Sequence, residues 1–164
     1  MKAVIQRVLT ASVSVSGELI SSIQRGYCIL VGISKDDTEK DMDYIIRKIL
    51  NIRLFSDEEN NTRWNKSVVD KDFEILCVSQ FTLQSTLKGT KPDFHQAMTA
   101  DNSKIFYEKF LDILGNLYKK EKIKNGKFGN YMNVKIENDG PVTIILDSKK
   151  SNDNASKLEN ENQD

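Results

Sequence analysis

In residues 26–51, GYCILVGISKDDTEKDMDYIIRKILN, a strand gives way to a helix, and that succession sets the architecture. Tyr27–Ile33 (YCILVGI) is a nearly continuous apolar run opened by Gly26, the pattern of a central strand covered on both faces. Asp36, Asp37 and Thr38 follow, and their short side-chain oxygens suit a helix start, where backbone N–H groups lack partners. Behind them Met42, Ile45, Ile46, Ile49 and Leu50 recur at i, i+3, i+4, i+7 and i+8. That spacing puts all five on one face of a helix ending near Asn51.

Toward the N-terminus, Met1–Val8 reads as one strand and Ala11–Val15 as a second, with Leu19–Ile23 returning after a turn at Gly17-Glu18. Beyond the helix, Ile52–Phe55 reads as a short strand and polar Ser56–Lys66 as a loop whose Trp64 folds back onto the body. Phe73–Leu83 (FEILCVSQFTL) is the next strand, and Ser85–His95, interrupted by Gly89 and Pro92, a loop. Asp101 is placed to cap a second helix reaching about Lys119. Its apolar residues Ile105, Phe106, Phe110, Ile113, Leu114 and Leu117 follow the helical period, with Gly115 a mild flaw. After a turn at Asn125-Gly126, Tyr131–Ile136 alternates, Asn138–Pro141 breaks the pattern and Val142–Leu146 closes as a strand. From Ser148 the chain (SKKSNDNASKLENENQD) has no aromatic and almost no apolar residue, so it cannot offset its ordering entropy. The expectation is one α+β domain over residues 1–147, β-rich with two amphipathic helices packed on the sheet, and a disordered polar tail over 148–164.

A chain of 164 residues supports one domain with a real core. Lys2, Gln6 and Arg7 interrupt any signal-peptide pattern, and no apolar run is long enough for a membrane span, so a soluble, cytoplasmic protein is expected. Basic and acidic residues balance at 24 each, so RNA recognition would need a local patch. Cys28 and Cys77 lie in strand-like runs and read as reduced core residues. With His95 the single histidine and no Cys-x-x-Cys spacing, neither a metal nor another cofactor is expected.

Two segments stand apart from this structural reading: Ser79-Gln80-Phe81-Thr82-Leu83 and Asn138-Asp139-Gly140-Pro141-Val142-Thr143. Together with MKAVIQRV at the start, KGTKPDFH at Lys88–His95 and KFGNYM at Lys127–Met132, they occur in the order found in the D-aminoacyl-tRNA deacylases. Over about residues 1–147 the chain resembles that family, of the D-tyrosyl-tRNA deacylase type. The resemblance implies a barrel-like homodimer that hydrolyses the ester of D-aminoacyl-tRNA, and of mischarged glycyl-tRNA, while rejecting L-aminoacyl-tRNA. It further implies that Gly140-Pro141 is cis and reaches into the partner's active site as a chiral filter. The residue types suit that role, since only X–Pro bonds become cis at modest cost and glycine has free φ beside them. Read without the family, Gly140-Pro141 is a turn between two strands.

Hydrolysis of an aminoacyl ester passes through an oxyanion, which N–H donors at Phe81 and Thr82 and the Gln80 amide would stabilise. Thr82 and Ser79 carry the hydroxyls of the SQFTL motif. Thr82 would attack only with a base beside it; the motif holds no carboxylate, and His95 lies thirteen residues on. Cys77 as nucleophile is disfavoured by its strand pattern. The resemblance implies instead that Thr82 and Gln80 position the substrate while the 2′-hydroxyl of the terminal ribose assists water. By the same resemblance Phe128, Gly129 and Met132 border the adenosine and aminoacyl pocket, and Arg7 supports the Gly-Pro loop. Phe128 and Tyr131 are candidates to stack on the terminal adenine, with core packing the plainer reading. Lys88, Lys91, Lys122, Lys124 and Lys127 are candidates for acceptor-stem phosphates, or else solvated surface lysines. Two rival classes are a nucleic-acid-binding module without activity and an adaptor that uses the tail as its arm.

Overall fold

The computed structural model describes residues 1–150. The elements follow one another as β1 (Lys2–Val15), β2 (Glu18–Ile23), β3 (Gly26–Gly32), α1 (Glu39–Asn51), β4 (Phe55–Asp57), β5 (Thr62–Lys66), β6 (Glu74–Ser79), β7 (Thr86–Lys88), β8 (Lys91–Asp93), α2 (Ala100–Leu117), β9 (Ile123–Asn125) and β10 (Asn133–Asp147). The main sheet runs β10-β1-β3-β6-β9, with β2 also paired to β1. Pairing is antiparallel around β1, while β3/β6 and β6/β9 are parallel. The parallel pairs are the ones whose connections contain α1 and α2, as a crossover requires.

Side chains alternate across a strand, and here both faces of β3 are covered. Tyr27, Ile29 and Val31 join Ala3, Ile5, Ile75 and Cys77 beneath the helices, where Met42, Ile45, Ile46 and Ile49 of α1 and Tyr107, Phe110 and Leu114 of α2 complete the core. Cys28 joins Val8, Ala11, Val13, Ile23, Leu76 and Val78 on the other face. The sheet curls around that second cluster, and Ser21 Oγ of β2 donates to the Asn125 carbonyl of β9 at 2.7 Å, nearly closing a barrel. The expected α+β architecture is therefore present. Each fully buried isoleucine of α1 contributes about 1.5–3 kcal/mol by leaving water. The start of α1 is secured by Thr38 and Asp41: the Thr38 N–H and hydroxyl both donate to Asp41 Oδ2 at 2.9 Å.

Several elements differ from expectation, each for a local reason. The two N-terminal strands are one bent strand, because Leu9 and Thr10 stay extended and register shifts near Gln6–Thr10 absorb the bend. The two C-terminal strands likewise merge into β10. Four of its residues, Asp139–Val142, bow out opposite the single residue Arg7, since Gln6 pairs with Thr143 and Val8 with Asn138. The strand expected over Ile52–Phe55 begins only at Phe55, and the supposed loop after it is the β4–β5 hairpin. Trp64 remains exposed, touching the body through Arg7. The 73–83 strand ends at Ser79, and 85–95 contains the β7–β8 hairpin. Helix α2 is capped at Thr99 rather than Asp101, and it buries Tyr107 while leaving Ile105 and Leu117 exposed.

Ser148, where the tail is expected to begin, is buried: its hydroxyl donates to Asp41 Oδ1 at 2.7 Å and accepts from the Met1 ammonium at 2.6 Å. The same ammonium pairs with buried Asp37 at 2.5 Å. The rest of the expected tail, 151–164, lies outside the described residues. Among the described residues no helix is long and apolar enough to cross a membrane.

Candidate active site

Strand β6 carries Ser79 to the rim of the sheet, where the chain turns sharply. Gln80 N–H donates to the Val31 carbonyl at 2.7 Å, and Phe81–Gln84 wind into a 3-10 turn laid on Gly32 of β3. The fit is close: a Cβ at Gly32 would lie 2.7 Å from Leu83 Cβ and 3.0 Å from the Gln80 oxygen. From beneath, Gln84 Nε2 donates to the Gly32 carbonyl at 2.8 Å and Lys2 Nζ to the Leu83 carbonyl at 3.1 Å. The first N–H groups of such a turn have no acceptor within it, and here they belong to Phe81 and Thr82. Gln80 Nε2 donates to Thr82 Oγ1 at 2.6 Å, linking the motif's two polar side chains.

A cavity of about 880 Å³ opens over this turn, within the size range of small-molecule pockets. Ser79, Gln80 and Phe81 form one side and Phe128–Met132 the facing side, with Phe94, Met98, Thr99, Ala100 and Ser103 closing it. Phe81 and Phe94 meet edge to face at 5.1 Å, and Phe128 leans on buried Tyr107 at 5.7 Å. Gly126 N–H donates to the Cys77 carbonyl at 2.9 Å, which brings the 127–132 turn over the end of β6. There Met132 Sδ would be 2.8 Å from a Cβ at Gly126. Gly129 has φ 73° with open space on its Cβ side, and Tyr131 is 92% exposed. Segment 96–98 is held by Lys35 N–H to the Gln96 carbonyl (2.9 Å) and Met98 N–H to the Ile33 carbonyl (3.0 Å).

The second motif lies elsewhere. Gly140-Pro141 is cis, Gly140 has φ 120°, and both residues are exposed at the crest of the β10 bow. Arg7 lies beneath it. Its Nη1 donates to the Leu54 carbonyl at 2.6 Å, and its Nε is 3.0 Å from Asp139 Oδ2. A Cβ on Gly140 would stand 3.2 Å from Arg7 Nη2 and 2.8 Å from Val142 Cγ2. Asn138 Nδ2 ties the two legs of the bow together through the Val142 carbonyl at 3.3 Å.

The family model described as D-Tyr-tRNA(Tyr) deacylase matches residues 4–147, which include the pocket turn and the bow. The chain belongs to this family. It is 60% identical to the human D-aminoacyl-tRNA deacylase 1 over 148 residues, 90% of this chain and 70% of that one. It is 58% identical to the D-aminoacyl-tRNA deacylase of Drosophila melanogaster over 153 residues, 93% of this chain and 96% of the fly protein. A solved structure named c-Myc DNA Unwinding Element Binding Protein superposes with TM-score 0.86 at 59% identity, covering 90% of this chain and 98% of that one. A second, described as a probable eukaryotic D-amino acid tRNA deacylase, gives 0.77 at 17% identity, covering 88% and 97%, and speaks to the fold alone.

Within this deacylase, Ser79, Gln80, Phe81, Phe128, Gly129 and Met132 share one cavity. Thr82 is outside the lining and joined to it through Gln80; Gly140, Pro141 and Arg7 do not line it. His95 is engaged by Asp93 through both ring and backbone, and its Nε2 meets Gln96 Nε2 at 2.9 Å, so it forms no dyad with Thr82. Lys88, together with the His95 contacts, holds the Asp93 carboxyl well below the usual carboxylate range. Burial pushes the Cys28 thiol up to about 12 and Cys77 higher still, so neither is a thiolate at neutral pH. Of the candidate phosphate contacts, Lys122 pairs with Asp72 and Lys88 with Asp93. Lys91, Lys124 and Lys127 have no carboxylate within 4.0 Å among the described residues. Sequence reasoning missed the α2 end of the pocket, Met98 to Ser103. The sequence places the start of this helix at Asp101, past most of these residues.

Proposed function

We propose that this deacylase hydrolyses the ester of D-aminoacyl-tRNA as a homodimer in which each pocket is completed by the partner's Gly140-Pro141 loop. The observation that carries this reading is the separation of the motifs. The 79–81 corner and Phe128–Met132 share a cavity, while the exposed Gly140-Pro141 crest lies outside that cavity's lining. Strand β10 supports the dimer, being 15 residues long and, among the described residues, paired only with β1, with Ile145 exposed on it. Long unpaired edges are normally covered.

In the pocket, the Phe81 and Thr82 N–H groups and the Gln80 amide stabilise the oxyanion that forms as water adds to the ester carbonyl. Thr82 accepts from Gln80 and so orients that amide rather than attacking. Among the described residues no imidazole or carboxylate partners its hydroxyl, and the ribose 2′-hydroxyl beside the scissile bond assists the water. Phe128, Gly129 and Met132 receive the terminal adenosine, with exposed Tyr131 available to stack on a base. Backbone carbonyls of the partner's Gly140-Pro141 accept from the α-ammonium and occupy the space an L side chain needs. A D side chain points outward, and glycine, having none, is cleaved as well. Lys91, Lys124 and Lys127 meet the acceptor-end phosphates. The enzyme uses no metal or other cofactor. It acts in the cytoplasm, where its buried free cysteines stay reduced. The catalytic domain is residues 1–147, and removing 151–164 leaves deacylation unchanged.

Mixed dimers test the shared site. A pocket variant (Phe128→Ala with Gln80→Ala) and a loop variant (Pro141→Ala with Gly140→Ala), each impaired alone, regain activity on D-tyrosyl-tRNA when co-refolded, because one intact pocket receives one intact loop. Mixed dimers no more active than the parents would show that each loop serves its own pocket. Nucleic-acid binding without hydrolysis is a second reading, favoured by the name of the solved DNA-unwinding-element relative. An intact chain that binds tRNA or DNA and cleaves neither D- nor L-aminoacyl ester would establish it.

A further inference from the structure

Trp64 is the chain's single tryptophan, and it stands in β5 with φ 56°, a backbone region bulky side chains rarely occupy. Such strain persists where the surroundings over-determine it. Its ring centroid is 5.8 Å from Arg7 Cζ, within cation–π range, although Trp64 is 54% exposed. Arg7 is thus gripped from two sides by one segment: the Leu54 carbonyl just before β4 accepts from Nη1 at 2.6 Å, and the Trp64 ring of β5 faces the guanidinium. What Arg7 holds in turn is the bow, through Asp139 at 3.0 Å, and the bow sits so near that a Cβ on Gly140 would stand 3.2 Å from Nη2.

We infer that Trp64 is a positioning residue for stereochemical selection. By fixing the Arg7 guanidinium, its ring sets where the Gly140-Pro141 carbonyls stand and so how sharply D and L esters are told apart. The inference rests on the reading of that loop as the chiral filter. A tryptophan that merely packed its hairpin would affect stability and leave selectivity alone.

The test compares Trp64→Leu and Trp64→Phe with wild type. For each, kcat and KM on D- and L-tyrosyl-tRNA and the melting temperature are measured. Trp64→Leu lowers the D/L ratio of kcat/KM by about threefold to fivefold, the scale of one partly exposed cation–π contact. The loss is carried by a higher KM for the D ester and by new cleavage of the L ester. Trp64→Phe, which keeps a ring, retains most of the ratio. In parallel, Arg7→Lys shifts the fluorescence emission of the lone tryptophan. A Trp64→Leu enzyme that melts cooperatively and keeps the wild-type ratio overturns the inference, as does emission indifferent to Arg7→Lys. A wild-type enzyme that does not discriminate overturns both this inference and the filter beneath it; a discriminating wild type with an unaltered leucine variant overturns this inference alone.

Discussion

Replacing Gly32 with alanine adds one methyl group, and the structure says what it meets. The new carbon would lie 2.7 Å from Leu83 Cβ and 3.0 Å from the Gln80 oxygen, where ordinary contact begins near 3.4 Å. Neither neighbour is a side-chain tip able to swing aside. One is a Cβ and the other a backbone oxygen, so the 80–83 turn itself must lift by about 0.7 Å. Overpacking of this kind costs about 1–3 kcal/mol, and for a domain of this size about 2 kcal/mol lowers Tm by roughly 4–8 °C. The catalytic cost is steeper, because the lifted turn carries Gln80 and the Phe81 and Thr82 donors. A displacement near 1 Å costs on the order of 10²-fold in rate, so kcat on D-tyrosyl-tRNA falls by about 10–100-fold. The assay is single-turnover deacylation at a temperature well below both melting transitions, so that every molecule is folded. Gly126→Ala is the control: its carbon meets Met132 Sδ at 2.8 Å, the mobile part of a flexible side chain, so the effect is smaller. A Gly32→Ala enzyme with wild-type kcat, or one whose loss follows only its unfolded fraction, would refute the assignment of the turn as catalytic floor.

Other perturbations have equally definite outcomes. Burial alone would raise the Asp41 carboxyl, but hydrogen bonds from Ser148, Thr38 and Lys149 outweigh it and hold the group well below its ordinary value of 3.8. The stability it contributes is therefore complete above about pH 4 and is lost as pH falls below that; a Tm series from pH 6 to pH 2 shows this decline, and Asp41→Asn flattens it while lowering Tm at neutral pH. Phe110→Ala, at a fully buried position, costs about 3–5 kcal/mol in urea unfolding with little change in the m-value. Glycyl-tRNA is deacylated by wild type, because a filter that works by excluding side chains has nothing to exclude; a complete lack of glycine release in a single-turnover assay would contradict the steric account.

Where the sequence was informative, the reason is periodicity or a motif carried whole. The five apolar residues of α1 are buried as their spacing requires, and the run through β3 is covered on both faces. Tyr107 was overlooked on α2 because tyrosine does not mark an apolar stripe, yet it is buried and donates to Asn125 Oδ1 at 2.9 Å. The hairpins at β4–β5 and β7–β8 were illegible because strands of three to five residues are too short to show a period, and β5, β7 and β8 are largely exposed. Gly140-Pro141 looked like a break between strands, since a bow within one long strand and a turn between two share the same composition. The 79–81 and 128–132 segments, which the motifs single out, line one cavity. That α2 would close the same cavity depends on a tertiary contact, Met98 N–H to the Ile33 carbonyl at 3.0 Å, which no local pattern encodes.

The central claim is that a pocket built on Gln80–Thr82 cleaves aminoacyl-tRNA esters and that Gly140-Pro141 decides which stereoisomer is cleaved. Single-turnover deacylation of D-tyrosyl-tRNA and L-tyrosyl-tRNA, for wild type beside Pro141→Ala, addresses it directly. Wild type releases D-tyrosine and leaves the L ester intact, and Pro141→Ala narrows that difference while remaining dimeric. Equal cleavage of both esters by wild type, cleavage of neither, or a Pro141→Ala enzyme with undiminished selectivity would contradict the account.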